Sequence, residues 1–130
     1  MLGSIPPMEQ TALKTLAAVE RDCLAKAGAV PERPFGPDTL VFKVGGRMFA
    51  VLATKVRPLA LSLKCDPELA VALRTRYPAV RPGYHLNKRH WNTIVLDGSV
   101  PDPHLRELIE LSYELVVAKL DLATRQALTR

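Results

Sequence analysis

The chain has 130 residues, of which 48% are hydrophobic and 24% are charged, and its formal net charge is +5. This composition fits one globular domain that fills its core without disulfides or a structural metal, and it argues against a disordered chain. No apolar run approaches the roughly 20 residues that a membrane helix needs, and the first residues lack the pattern of a signal peptide. We therefore expect a cytoplasmic protein with a flexible N-terminus over residues 1–10, a single domain over 11–122 and a frayed tail over 123–130.

Seven elements are predicted from the periodicity of the sequence and from the signals at their ends. Helical spacing of apolar residues stops at Gly28, where a left-handed helix cap is favoured. Gly45 and Gly46 separate two runs rich in β-forming residues, which is typical of a hairpin turn. Asp66 and Pro67 supply an N-cap and a proline for the first helical turn. The predicted elements are a helix over 11–27, strands over 40–44, 48–53 and 59–65, a helix over 66–77, a strand over 91–96, and a helix from 102 to about 122.

The element order α-β-β-β-α-β-α predicts an α+β protein in which helices pack on an antiparallel sheet. Between the second helix and the last strand, residues 79–92 contain Pro82 and Gly83 and show no clear periodicity. Such a segment is typical of a long exposed connection or a short hairpin arm, and exposed loops often carry function. In the last helix, Ser112 lies within the apolar stripe, so we expect its hydroxyl to bond to a preceding carbonyl of the same helix.

The positive charge of the chain is concentrated in one segment. Between Leu69 and Leu96 there are five basic residues and no Asp or Glu, while the rest of the chain has 13 Lys and Arg against 13 Asp and Glu. A local positive patch favours a polyanionic partner. We predict one electropositive face, in which basic side chains contact nucleic-acid phosphates and aromatic ones stack on bases or sugars. The predicted site residues are Arg74, Arg76, Arg81, Tyr84, His85, Lys88, Arg89 and Trp91.

Other interpretations of this segment stay open. The basic residues are also typical of a solvated surface. Tyr77 continues the apolar stripe of its helix and Trp91 begins a strand, so both aromatic rings suit the core. In a second functional interpretation, the sheet and residues 84–91 dock an acidic protein or a second copy of the chain. The sequence contains no catalytic constellation, so we expect no enzyme and no cofactor. A third and distant alternative is an enzyme for a phosphorylated small molecule, which would need one pocket that unites His85, His90 and the arginines.

The same segment contains two histidines and two asparagines whose side chains could bind a metal, transfer protons or contact a base. His85 and His90 are the best candidates for a metal or for acid and base chemistry, but no carboxylate lies near them in sequence to complete a site. We therefore expect no metal. Asn87 and Asn92 suit turns better than contacts with adenine, since asparagine side chains often bond to their own backbone.

The two cysteines, Cys23 and Cys65, are 42 positions apart and have no paired spacing. We expect reduced core thiols rather than a disulfide or a zinc site, which suits the cytoplasm. Cys65 follows Lys64 and precedes a helix N-terminus, and both features favour thiolate. A buried, protonated thiol at the end of its strand is nevertheless the expected state.

Four blocks of the sequence resemble the MmcQ/YjbR family of small bacterial proteins. In chain order they are Phe35-Gly36-Pro37-Asp38, Val41-Phe42-Lys43-Val44-Gly45-Gly46, Leu63-Lys64-Cys65-Asp66-Pro67 and Pro82-Gly83-Tyr84-His85-Leu86-Asn87-Lys88-Arg89-His90-Trp91-Asn92. The resemblance covers about residues 17–120 and implies a frataxin-like α+β fold and a DNA-binding protein with a double-wing arrangement. A frataxin-like fold also raises iron binding, but the first helix offers only Glu20 and Asp22 among basic neighbours, so we expect no iron site.

Overall fold

The computed structural model describes residues 12–129. The elements in chain order are α1 (Leu16–Leu24), β1 (Val30–Glu32), β2 (Thr39–Val44), β3 (Arg47–Ala53), β4 (Ala60–Lys64), α2 (Pro67–Arg76), β5 (Val80–Pro82), β6 (Trp91–Val95), α3 (Asp102–Val117) and α4 (Leu122–Leu128). All strand pairs are antiparallel, and the sheet order is β1-β2-β3-β4-β6-β5. The predicted α+β class and the predicted order of helices and strands are confirmed, with β1, β5 and α4 as additional elements.

Local end signals act as predicted at the hairpin and at α2. Gly45 and Gly46 have φ angles of 57° and 81°, so both adopt the left-handed conformation that a two-residue hairpin turn requires. At the start of α2, the Asp66 carboxylate accepts a hydrogen bond from the Glu68 amide at 3.2 Å, and Pro67 occupies the first turn. Both boundaries follow from residues that lie at or directly beside the ends of these elements.

The C-terminal segment, for which a tail is predicted, contains the short helix α4. Asp121 caps α4, and its carboxylate accepts a hydrogen bond from the Thr124 amide at 2.8 Å. This bond lowers the pKa of Asp121 below its usual value, because it stabilises the charged carboxylate. The expectation for residues 1–10 lies outside the described part of the chain.

The helices α2 and α3 pack on the same face of the sheet, α3 against β3 and β4, and α2 against β5 and β6. Strand residues alternate between the two faces, and those toward the helices form the buried core. The opposite face, called the open face below, has a cavity lined by strand and loop residues. Across β3, β4 and β6, the open-face residues Val51, Ser62 and Thr93 lie opposite one another. Among residues 12–129, no helix is long and apolar enough to cross a bilayer.

A buried hydroxyl joins α3 to two strands. Ser112 is fully buried, and its Oγ donates to the Phe49 carbonyl of β3 and accepts from the Lys64 amide of β4 at 2.8 Å. The prediction that this hydroxyl bonds within its own helix is therefore wrong. The physical reason is that the hydroxyl faces two strand groups that need hydrogen-bond partners, and buried backbone groups are almost always paired.

Both cysteines are free and buried, as expected. Burial raises the pKa of the Cys23 thiol to about 12 and that of the Cys65 thiol to about 11, because the charged thiolate loses its hydration. At Cys65, burial therefore outweighs the features that favour thiolate.

We expect neither thiol to react readily with a disulfide reagent such as DTNB in the native protein at pH 8, since thiolate is the reactive form. Both should react at once in denaturant. The ordinary thiol pKa is 9.0, so the unfolded chain loses these protons first, and the free energy of unfolding should fall as the pH rises from about 9 to 12. Rapid native labelling of one thiol would contradict this account.

Candidate nucleic-acid interface

The five basic residues of the acid-free segment lie on three neighbouring elements at the β5 edge of the sheet. These elements are α2, β5 and the loop of residues 83–90 between β5 and β6, called the basic loop below. Arg74 of α2 donates from Nη1 to the Lys88 carbonyl at 3.0 Å and to Asn92 Oδ1 at 3.4 Å. Asn92 in turn donates from Nδ2 to the Ala70 carbonyl at 3.2 Å. These bonds fasten α2 to both the basic loop and β6.

Asn92 is 2% exposed and holds two elements together, so its prediction as a turn residue is wrong. The prediction is correct for Asn87, whose Oδ1 accepts a hydrogen bond from the Arg89 amide at 2.9 Å. The difference arises because Asn87 lies inside the basic loop, whereas Asn92 lies within β6 and points toward α2.

Close backbone packing positions the start and end of the basic loop. The Gly83 amide donates to the Trp91 carbonyl at 2.9 Å, and a Cβ added at Gly83 would lie 2.8 Å from the Trp91 Cβ. Only glycine fits this approach. The Lys88 ammonium donates to the Gly83 carbonyl at 2.8 Å and so closes the loop on itself. The loop therefore has a defined shape.

The basic side chains are distributed over two sides of this edge rather than over one face. Arg74 and Arg89 line one open cleft beside α2 on the helix side of the sheet. Arg81 lies opposite Thr93 in the β5–β6 ladder and therefore points to the open face. Arg76 ends α2, where its guanidinium carbon lies 5.0 Å from the centre of the Tyr77 ring. The side of each cation follows from strand register and helix position.

Within residues 12–129, none of the five basic residues has a carboxylate oxygen within 4.0 Å. The ion pairs of the described chain lie elsewhere, between Lys26 and Glu110, Lys43 and Glu32, and Arg106 and Asp22. The five cations at the β5 edge therefore form no ion pair within the described chain, although Glu68 lines the same cleft as Arg74 and Arg89.

The predicted aromatic residues separate into exposed and buried groups. Tyr84 is 71% exposed, and its ring centre lies 4.0 Å from that of His85. Trp91 is 8% exposed and Tyr77 is 9% exposed, so both belong to the core. Trp91 cannot stack on a base without leaving its packed position at the start of β6. The prediction that Trp91 stacks on a base is therefore wrong. Tyr84 and His85 are exposed and remain available to a ligand.

The open face has a cavity of about 310 Å³ next to the basic loop. Phe35, which is 63% exposed, forms part of its wall and was not among the predicted site residues. A signal was present in the sequence, because an aromatic residue within Pro34-Phe35-Gly36-Pro37 lies in a turn and has little access to a core. The cavity is lined by Phe35, Thr39, Val51, Ala53, Ala60, Ser62, Tyr84, His85, Leu86 and Thr93.

The histidines do not form a common site. His85 lines the open-face cavity, while His90 lines a separate cleft with Cys65 and Lys64. Over the described residues 12–129, there is no group of three or more His, Cys, Asp or Glu side chains that could hold a metal ion.

The fold and this edge define a small α+β protein with a helix-covered sheet and a basic loop at one side. The chain belongs to the YjbR family, whose model matches residues 24–115. The Escherichia coli K12 protein YjbR is 37% identical over 116 residues, which cover 89% of this chain and 98% of that protein. Escherichia coli O157:H7 YbdF is 40% identical over 85 residues, which cover 65% of this chain and 69% of that protein. None of these names records an enzymatic activity.

A solved structure shows the same architecture. The chain is similar to Deinococcus radiodurans protein DR2400, whose crystal structure contains the family-model domain DUF419. The TM-score is 0.87 and the identity is 43%, and the match covers 92% of this chain and 91% of that chain. A protein from Pseudomonas syringae is similar with a TM-score of 0.68 and 29% identity, covering 78% of this chain and 98% of that chain. The fold described here is therefore shared by experimentally determined relatives.

Proposed function

We propose that this protein binds nucleic acid at the β5 edge, with single-stranded DNA as the preferred form. The observation that carries the proposal is the group of five basic residues without a carboxylate within 4.0 Å in the described chain, residues 12–129. Such a patch attracts phosphates, and guanidinium groups bind them with two parallel hydrogen bonds. The resemblance to a family described as DNA-binding supports DNA as the partner.

The placement of the cations favours a single strand over a duplex. Arg89 lies on the helix side of the edge and Arg81 on the open face, with the exposed Tyr84 in the connecting loop. A flexible strand can follow an edge from one side to the other, whereas a stiff duplex needs its contacts on one face. An accessible aromatic ring also suits unpaired bases, which stack on such rings regardless of sequence.

The proposal requires no catalysis, and its setting is the cytoplasm, where the two free thiols would stay reduced. Arg74 and Lys88 each donate to a backbone carbonyl. Their remaining N–H groups can still reach a phosphate, since arginine has five donors and lysine three. Arg81 and Arg89 are exposed and form no ion pair within the described residues.

Replacing Arg81 and Arg89 together with Ala is expected to weaken binding of a fluorescent oligo-dT by roughly tenfold or more at about 0.1 M salt. For the natural protein, log affinity against log salt should have a slope of about −2 to −3.5, since three to five phosphates each contribute about 0.7. Loss of two phosphate contacts should make this slope shallower by about 1.4. Fluorescence anisotropy titrations over a series of salt concentrations measure both quantities.

A double variant with Arg47 and Arg125 replaced by Ala is the matched control. It removes the same charge from exposed positions at the start of β3 and in α4, away from the β5 edge. Its affinity should stay within about twofold of the natural protein, because long-range charge effects are screened beyond about 10 Å. Equal losses in both double variants, or a flat salt response, would refute the proposed site.

The second interpretation, a protein-interaction module or a homodimer, has a different signature. The open face exposes Phe35 and Tyr84, which are apolar enough to meet another protein surface. Analytical ultracentrifugation with and without DNA separates the two interpretations. A stable dimer whose sedimentation does not change on adding DNA would replace nucleic-acid binding with protein docking.

A further inference from the structure

We infer that the open-face cavity receives one unpaired base of the bound strand, an inference that rests on the proposed function. The cavity has a volume of about 310 Å³, at the lower end of the range for small-ligand sites. Two of its walls are aromatic and come from different loops. Phe35 belongs to the loop before β2 and Tyr84 to the basic loop, and they are 63% and 71% exposed. A planar ring that enters from solvent can therefore contact an aromatic side chain from either loop.

The floor of the cavity has hydrogen-bonding capacity that an aliphatic ligand would not use. Ser62 Oγ and Thr93 Oγ1 are 2.7 Å apart, and either hydroxyl can be the donor. Thr93 Oγ1 also accepts a hydrogen bond from the Tyr84 amide at 2.9 Å. Two hydroxyls carry two protons, and only one is used between them. Among the hydrogen bonds of residues 12–129, the other proton has no acceptor, and a base edge supplies nitrogen and oxygen acceptors of the right kind.

The backbone at His85 holds two rings together at the cavity mouth. His85 has a φ of 59°, and it is the one residue other than glycine with a positive φ among residues 12–129. This conformation is uncommon for a side-chain-bearing residue, although His tolerates it better than most. It places the imidazole 4.0 Å from the Tyr84 ring centre. The two ring planes are tilted by 52° relative to each other, and Tyr84 remains exposed to a ligand.

The cavity adjoins the strand that carries Arg81. Arg81 lies directly opposite Thr93 in the β5–β6 ladder, and Thr93 forms part of the cavity floor. Residues opposite each other in antiparallel strands have Cβ atoms about 5 Å apart and on the same face. A phosphate bound by Arg81 therefore lies beside the cavity, within reach of the base of the same nucleotide. The site therefore combines a cation with a cavity that has aromatic rings and two hydroxyl groups in its lining. This combination matches a nucleotide, which has a phosphate and a planar ring with polar atoms along its edge.

The test uses single-stranded DNA that contains one 2-aminopurine, a fluorescent base whose emission falls when it stacks. Binding to the natural protein should quench the emission. In Phe35→Ala and in Tyr84→Ala, affinity should fall about tenfold and the quenching should be reduced, since stacking contributes that much per base. The salt slope should stay unchanged in both variants, because neither removes a charge.

Two further variants complete the design. Leu122→Ala removes an apolar side chain that is 60% exposed on α4 and should leave affinity and quenching unchanged. His85→Gly tests the imidazole, because glycine adopts the left-handed backbone without strain, and it should weaken both affinity and quenching. Thermal unfolding of each variant shows whether the fold is retained.

The outcomes separate this inference from the proposed function. If the natural protein binds DNA with the expected salt slope but Phe35→Ala and Tyr84→Ala bind and quench as it does, the cavity is not a base site and the inference is overturned. If the natural protein binds no single-stranded DNA, the proposed function itself fails. Loss of binding in the arginine variant together with loss of quenching in the aromatic variants supports both.

Discussion

Phe49→Ala is expected to lower the free energy of unfolding by about 3 to 5 kcal/mol. Phe49 is fully buried in β3, and its ring meets Tyr113 of α3 edge-on with centres 5.4 Å apart and Phe42 of β2 at 6.5 Å. Removing the ring deletes one aromatic contact between the sheet and α3 and leaves a cavity that close-packed neighbours fill only in part. Equilibrium unfolding in urea, followed by circular dichroism, gives the free energy directly.

Phe35→Ala is the matched control, because it makes the same chemical change at a side chain that is 63% exposed. Its free energy of unfolding should stay within about 0.5 kcal/mol of the natural protein, as for most surface substitutions. The comparison separates aromatic residues that hold the fold from those available to a ligand. A loss of several kcal/mol at Phe35 would show that this ring belongs to the core and would remove it from the candidate site.

Ser112→Ala is expected to lower the free energy of unfolding by about 2 kcal/mol. The hydroxyl bonds to the Lys64 amide and the Phe49 carbonyl, and without it two strand groups lose their partner in a buried place. Each unsatisfied buried group costs about 1 to 3 kcal/mol. Ala has a higher helix propensity than Ser, which stabilises α3 by about 0.5 kcal/mol. This gain is smaller than the loss from the two unsatisfied groups.

Thr75→Ala provides the comparison for Ser112. Thr75 lies on the exposed side of α2, and its hydroxyl donates to the Val71 carbonyl one turn earlier at 3.0 Å. Since that carbonyl already belongs to the helix and water can replace the hydroxyl, the free energy of unfolding should change by less than about 0.5 kcal/mol. Equal effects at the two positions would mean that the link from α3 to the strands contributes nothing.

Elements with strong local signals were predictable from the sequence. The hairpin around Gly45 and Gly46 and the start of α2 at Asp66 depend on residues that act on their immediate neighbours. The strands β1 and β5 were not predictable, because three residues are too few to show a period. Each exists because a longer strand offers hydrogen bonds at its edge, and Pro82 is tolerated in β5 because the outer side of that strand needs no donor.

The candidate site was predictable in composition but not in arrangement. The absence of Asp and Glu around the basic residues is a property of the sequence and predicts a positive region. Register decides that Arg81 points to the open face, and helix position decides that Arg74 bonds to the basic loop. Phe35 joins Tyr84 at one cavity although 49 positions separate them in the chain, so no local pattern could pair them.

The sequence by itself determined the α+β class, the order of the main elements and the sign of the charge at one segment, because periodicity, end signals and charge are local properties. Only the tertiary structure decided which side chains share a surface. It buried Trp91 and Asn92, placed the hydroxyl of Ser112 between two strands and opened a cavity beside Arg81. Those outcomes depend on contacts between residues distant in the chain, whose energies are set by packing and register rather than by neighbouring residues.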